Sequence, residues 1–409
     1  MSFYTEFLVN DTLFKLESTM SLTFDSARLP NPAVTQDHEA WRDQLRKFVD
    51  KEIAPFVDEW DEQGFLPDEL WGKAAEFGLL GLGYPEQYGG TSEGIDLYHV
   101  NIVSEELCRT SLGGLPSTLL SHGIGMPPVV NFGKDALKDE IIPQVIAGKK
   151  RIALAITEPS GGSDVANLQT TAKREGDYYI VNGSKTFISG GMGADWFTTG
   201  VRTGGKGGAG VSLIVIPADL AGVSRTPLDK KQGWWCSDTA TIYFDNVKVP
   251  VENLLAEEGH GFLVIANNFN NERMAMATMM EASCRVCLEE AVKWAQERQT
   301  FGKRLADHQV IRHKIVEMKQ RINSCQAYIQ VCCRQMQDGT ISFGDIAMLK
   351  VHASLTMEYC AREAMQILGG AGYMRGNKAE RIYREVRVNA IGGGSEEIMR
   401  DLAASQYGL

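Results

Sequence analysis

The chain has 409 residues, 44% of them apolar and 23% charged, with a formal net charge of −11. That length supports roughly two to four domains with a sizeable core, and the composition is that of a globular protein rather than a disordered or membrane-spanning one. An excess of 52 acids over 41 bases argues against a nucleic-acid partner, which would need clustered positive charge.

Residues 1–33 show no sustained period and end in Leu29-Pro30-Asn31-Pro32, which reads as an extension. Its first residues lack a basic start and an apolar run, and Glu6, Asp11 and Glu17 fit poorly with an Arg-rich transit peptide, so a cytoplasmic location is expected. From Thr35 a helical period begins, with Trp41, Leu45, Phe48, Val49 and Ile53 on one stripe, Thr35 as cap and Pro55 as the stop. A second helix from Asp68 carries Leu70, Trp71, Ala74 and Phe77, and apolar stretches at 97–108 and 117–132 extend a helical domain over 34–150.

At Arg151 the period changes to two, and short β-rich runs continue to about residue 255. Asn182-Gly183, between Tyr178–Val181 and Lys185–Ser189, predicts a type I′ hairpin turn. Further strands are expected at 196–201, 211–216 and 240–244, with the glycine-rich 203–210 segment as a mobile connection. The helical period returns over 262–298, 308–337 and 342–369, with a shorter helix after 395. The fold class is therefore α+β: an N-terminal helical domain, a middle β-barrel or sandwich domain (151–255) and a C-terminal antiparallel four-helix bundle (256–409).

Eight cysteines lie between Cys108 and Cys360 without a framework spacing and are expected to be reduced. Cys284-Arg285-Val286-Cys287 has the form of a redox or zinc half-site, but it lies in a helical pattern with no second pair, so both read as small apolar core residues and no metal site is assigned. Met274, Met276, Met279 and Met280 likewise read as core.

Four separated segments carry the chemistry. Thr157-Glu158-Pro159-Ser160-Gly161-Gly162-Ser163-Asp164 follows a strand and offers free backbone N–H groups and hydroxyls to a polyanion or a ring edge, although alone it reads as well as a tight turn. Arg298-Gln299-Thr300-Phe301-Gly302-Lys303 with His308-Gln309, then Gln366-Ile367-Leu368-Gly369-Gly370, then Ile391-Gly392-Gly393-Gly394-Ser395-Glu396-Glu397, all fall at helix ends, where backbone groups are free. With these motifs in this order, residues 35–409 resemble the acyl-CoA dehydrogenase family.

The resemblance implies a homotetrameric FAD enzyme. Leu154, Ala155, Ile156, Thr157, Gly162 and Ser163 would line the flavin, and Phe187, Ile188 and Ser189 would cover one ring face, where many relatives carry Trp and Thr in place of Phe187 and Ser189. Arg298, Thr300, Phe301 and Gln309 would grip the pyrophosphate and adenosine end of a neighbour's FAD, while Gln366, Ile367, Leu368, Gly369, Gly370, Ser395 and Glu397 would hold the remainder. Ser163, Asn270, Arg273 and Gly394 would contact the acyl-CoA substrate.

Most relatives place the catalytic Glu where this chain has Gly393, which has no side chain to take a proton. A minority, including long-chain and isovaleryl enzymes, place it on a bundle helix directly before an Arg, and Asn271-Glu272-Arg273 matches that pattern. Glu272 is the expected base. Its helix face is shared with Ala275, Met276 and Met279, an apolar setting that raises a carboxylate's pKa, while Arg273 offsets the cost. Glu396 and Glu397 rank below it, and the Gly393 backbone N–H is expected to serve the thioester oxygen.

The expected activity is α,β-dehydrogenation of an acyl-CoA to a trans-2-enoyl-CoA, with electrons passed to an electron-transferring flavoprotein. An acyl-CoA oxidase or flavin monooxygenase on the same scaffold, or a catalytically silent flavoprotein binding module, are the alternatives.

Overall fold

Among the described residues the first helix begins at residue 36, and its cap shows why. The computed structural model describes residues 22–409, so the reading of residues 1–21 lies outside the described residues. Thr35 and His38 form a reciprocal capping box at the start of α1 (Gln36–Glu52), which buries Leu45 and Val49. Helices α2 (Val57–Gln63) and α3 (Glu69–Glu76) follow. Asp96 then caps α4 (Leu97–Cys108), accepting from the backbone N–H groups of Tyr98 and His99. The apolar stretch at 117–132 falls across three short helices, α5 (Gly114–Leu119), α6 (His122–Gly125) and α7 (Pro127–Phe132), and α8 (Asp135–Ile146) completes the set.

The middle region holds β1 (Ile152–Ala155), β2 (Thr171–Glu175), β3 (Tyr178–Ser189), β4 (Trp196–Arg202), β5 (Val211–Pro217), β6 (Val223–Pro227), β7 (Thr239–Pro250) and β8 (Leu254–Leu255). They pair in the order β6-β7-β3-β2-β4-β5-β8, with β1 parallel to β4. One face closes on itself around Tyr179, Phe197, Ile214 and Ile242; the other packs Val211, Leu213 and Val215 with Met126 between α6 and α7 and with the helical residues Ile141 and Ile265.

Asn182-Gly183 does not turn the chain. β3 runs straight through it and pairs with β7 on both sides of a bulge, where Asp245 and Asn246 oppose Asn182. The hairpin turn lies six residues earlier at Gly176-Asp177, with Glu175 paired to Tyr178 and Gly176 at φ +62°. Nor is 203–210 a loose connection: Thr203 N–H bonds Gly210 O at 3.0 Å, and Arg202 reaches Gly205 O at 2.5 Å.

In the C-terminal region α9 (Gly261–Glu297) leads through a small hairpin, β9 (Gln299–Thr300) and β10 (Lys303–Arg304), into α10 (Gln309–Gln337) and α11 (Phe343–Leu368). A fourth bundle helix outside the expected helical segments, α12 (Lys378–Ile391), is capped by Asn377 and packs on α9 and α11; α13 (Glu396–Gln406) packs on α11. Residues 22–33 also join this bundle. Phe24 and Ala27 enter its core, and Leu29 N–H bonds Gln326 Oε1 at 2.6 Å.

All eight cysteines are buried and free of disulfides. Between Cys284 and Cys287, Arg285 pairs with Glu281 and Glu105 inside the helix packing, which accounts for the segment as core. Among the described residues no helix is long and apolar enough to cross a membrane.

Candidate active site

The end of β3 is built to present an aromatic ring. Lys185 pairs with Ile242 and Ile188 with Ala240, so Thr186 and Phe187 together oppose Thr241 and the strand bulges. Such a bulge re-aims side chains. Phe187 takes φ +59°, a conformation costly for a bulky residue, and stands 69% exposed. Ile188 does not share that exposure: its side chain belongs to the sheet interior, so only its backbone can face a ligand. Ser189 is half-buried beside it.

The Thr157–Asp164 turn is fastened to this bulge. Thr186 N–H donates to Thr157 O at 2.9 Å. Lys185 Nζ, fully buried, reaches Glu158 Oε1 at 2.7 Å and Ile156 O at 3.0 Å. Glu158 also accepts from the backbone N–H groups of Thr170 at 2.8 Å and Gln169 at 2.5 Å. Burial alone would raise the Glu158 carboxyl; Lys185 and these N–H donors overcome it and hold the group at about 2. Desolvation pulls Lys185 down to about 8, which leaves it protonated at neutral pH. The turn itself, residues 159–164, is exposed, and a Cβ at Gly161 would meet nothing within 4 Å. Of the strand residues before it, Ala155 and Ile156 are buried and can offer only backbone, whereas Leu154 is half-buried.

Glu272 and Gly393 come together across 121 positions of sequence. A Cβ built on Gly393 would lie 3.9 Å from Glu272 Oε1, so the helix-borne carboxylate reaches the place a side chain at 393 would occupy. Although Glu272 as a residue is half-buried, its Oε2 is shut off from solvent and has no hydrogen-bond partner among the described residues. Desolvation pushes this carboxyl up to about 7 against the pull of Arg273 and Lys350. A carboxylate near neutrality without a partner is poised to exchange a proton. Glu396 is held by Ser354 Oγ at 2.9 Å, and Glu397 is exposed at the α13 terminus.

Arg273 Nε donates to Gly393 O at 3.2 Å, and its guanidinium meets Asn270 Oδ1 at 3.4 Å. Both side chains are buried, so here they anchor the glycine turn and each other. Gly394 at φ +107° follows Gly393 at φ +66°, a pair of left-handed residues only glycine adopts without strain.

The Arg298 segment follows α9 through the β9–β10 hairpin. No hydrogen bond among the described residues joins 298–309 to 154–163 or to 187–189. Phe301-Gly302 forms the two-residue β9–β10 turn, both at positive φ, leaving Phe301 96% exposed. Positive φ at both central residues is what a type I′ turn requires. Arg298 and Gln309 are exposed and Thr300 is half-buried. Gln366, Gly369 and Gly370 are exposed at the α11 end, but Ile367 and Leu368 turn into the bundle core, which limits them to backbone contacts. Ser395 caps α13 by accepting from Ile398 N–H.

Three participants were not singled out in sequence: the Glu158–Lys185 pair, Lys350 and the second function of Met276. Met276 Sδ would lie 2.7 Å from a Cβ at Gly393, so the thioether fills the space beside the glycine. Left-handed φ costs a non-glycine residue about 1–2 kcal/mol. Gly393→Ala is therefore expected to destabilise the fold by about 1–2 kcal/mol, read as a lower melting temperature. A melting curve checks this, and adding Met276→Ala should recover the steric part.

The sequence matches the acyl-CoA dehydrogenase N-terminal domain over residues 35–149, the middle domain over 153–247 and the C-terminal domain over 259–408. It is 37% identical to an acyl-CoA dehydrogenase of Alternaria alternata, covering 93% of each chain. With the mitochondrial long-chain specific acyl-CoA dehydrogenase of Rattus norvegicus it shares 33% identity over 91% of this chain and 86% of the other. A crystal structure of a probable acyl-CoA dehydrogenase from Mycobacterium abscessus superposes with a TM-score of 0.88 at 42% identity, covering 91% and 99%. The cofactor is FAD; a similar glutaryl-CoA dehydrogenase from Mycobacterium smegmatis, 25% identical with a TM-score of 0.87 and coverage of 96% and 99%, was solved with FADH2. The exposed Phe187 ring, the open Thr157–Asp164 turn and the free Arg298 guanidinium fit a flavin, its ribityl chain and its pyrophosphate. The chain belongs to the acyl-CoA dehydrogenase family and is an FAD-dependent oxidoreductase acting on the CH–CH bond of an acyl-CoA.

Proposed function

We propose that this enzyme converts an acyl-CoA to its trans-2-enoyl-CoA with Glu272 as the base. The observation that carries the reading is the partnerless, desolvated Glu272 carboxylate beside Gly393. Glu272 takes the α-proton. The Gly393 N–H donates to the thioester oxygen as enolate charge develops, a bond that strengthens in the transition state. A bound FAD would supply the acceptor for the β-hydrogen and its electron pair. Thr157, Gly162, Ser163, the Phe187 ring and Ser189 orient the flavin, while Ser163 and Gly394 line the CoA side. Arg298, Thr300, Phe301 and Gln309, with the Gln366–Gly370 and Ser395–Glu397 segments, serve the adenosine end of a neighbouring subunit's FAD in a homotetramer. The exposure of Arg298, Phe301 and Gln309 in the single chain supports that division.

Electrons then pass to an electron-transferring flavoprotein. Anaerobic mixing with straight and branched acyl-CoAs should bleach the flavin, and reoxidation should be faster with electron-transferring flavoprotein than with oxygen. No bleaching with any acyl-CoA overturns the dehydrogenase reading; faster reoxidation by oxygen makes the enzyme an oxidase.

A further inference from the structure

Beside Glu272 lies a buried cation that the mechanism above leaves without a task. Lys350 on α11 continues the buried stripe of Ile346, Ala353 and Met357, and it is itself 0% exposed. Its Nζ donates to Gly394 O at 2.7 Å. One turn further along α11, Ser354 Oγ donates to Glu396 Oε1 at 2.9 Å, and from α9 Arg273 holds Gly393 O. Three side chains from two helices thus fasten residues 393, 394 and 396. A pair of left-handed glycines has little conformational preference of its own, so the direction of the Gly393 N–H depends on these anchors.

We propose that Lys350 is a positioning residue for the reaction: its bond to Gly394 O aims the Gly393 N–H at the thioester oxygen, and its charge favours the carboxylate form of Glu272. The proposal rests on the reading of Glu272 as base. The charged groups that face Lys350 are Glu396 and Glu397 from α13 and Arg273 and Glu272 from α9. Burial lowers the ammonium to about 8 despite the acids, so it carries its proton at neutral pH and releases it to solvent in mildly alkaline buffer. Above that pH Gly394 O loses its charged donor, and Glu272 loses one of the two cations that lower its pKa.

The test compares wild type with Lys350→Met and Lys350→Gln, each checked for FAD content and thermal melting, in pH profiles of kcat and kcat/KM, with Glu272→Gln in parallel. Both lysine variants should stay yellow and lose kcat roughly tenfold to a hundredfold, with KM changing less. Their acid limb should move up by about half a unit or more, because an opposite charge near the carboxylate is gone. The wild-type alkaline limb near 8 should vanish. Unmoved limbs with kcat within about twofold of wild type overturn the proposal. Should both variants fail to fold, the wild-type profile decides, since activity with no alkaline limb near 8 also overturns it. If Glu272→Gln remains active, the base reading fails; if it is inactive while the lysine variants match wild type, only the role of Lys350 fails.

Discussion

Glu272→Gln should give a folded, yellow protein that acyl-CoA does not bleach, with kcat reduced at least about 10²–10⁴-fold. Gln keeps the shape of the side chain and removes the proton acceptor. Because the Glu272 carboxyl is raised to about 7 by desolvation, wild-type kcat/KM should climb with pH through that value as the carboxylate forms. The variant should show no such limb. Stability should move the other way. A carboxyl whose pKa is higher in the folded chain than in the unfolded chain favours folding at acid pH, and that advantage fades as pH rises through about 7. An uncharged amide escapes that loss, so the variant should melt no lower than wild type at neutral pH. Rapid-mixing absorbance at the flavin band and a melting curve measure both. Wild-type bleaching by Glu272→Gln would remove Glu272 from the mechanism.

What could be read from sequence was what is local. Thr35 caps α1 as its side chain predicts, and the 97–108 stretch is a helix over those residues. Glu272 stands out in the sequence because its immediate neighbours carry the pattern. Features that depend on distant pairing were misread or missed. Asn182-Gly183 has the dipeptide of a hairpin, but β7, some sixty residues on, offers a ladder on both sides of it, and β3 satisfies its backbone there instead. The true turn at Gly176-Asp177 carried a weaker version of the same signal.

Side-chain pairs followed the same rule. Lys350 could have been noticed as a lysine in line with Ile346, Ala353 and Met357, a position where a charge needs a partner. Its partner, Gly394 O, is 44 residues away, beyond any helical period. Met276 was legible as core, but not as the group occupying the space beside Gly393. The long helix α12 was missed because its stripe of Ile382, Val386 and Ala390 is crowded by arginines and glutamates, which pair internally and with Asp61.

Glu158→Ala should be the most damaging single change outside the base. It leaves the Lys185 ammonium at 0% exposure with only Ile156 O as a partner, and breaking a buried ion pair from one side costs about 3–5 kcal/mol. It also frees the N–H groups of Gln169 and Thr170, each an unpaired donor once Glu158 is gone. Because the same carboxylate ties the Thr157–Asp164 turn to the Phe187 bulge, lost stability and lost flavin should appear together. The expected result is a lower melting temperature and a purified protein with a reduced ratio of flavin to protein absorbance. Replacing both partners, as Glu158→Gln with Lys185→Met, removes the uncompensated charge and should recover much of the stability. Flavin binding should recover less, because the amide donates where the turn needs an acceptor. A Glu158→Ala protein as stable and as yellow as wild type would show that the buried pair neither holds the fold nor shapes the flavin turn.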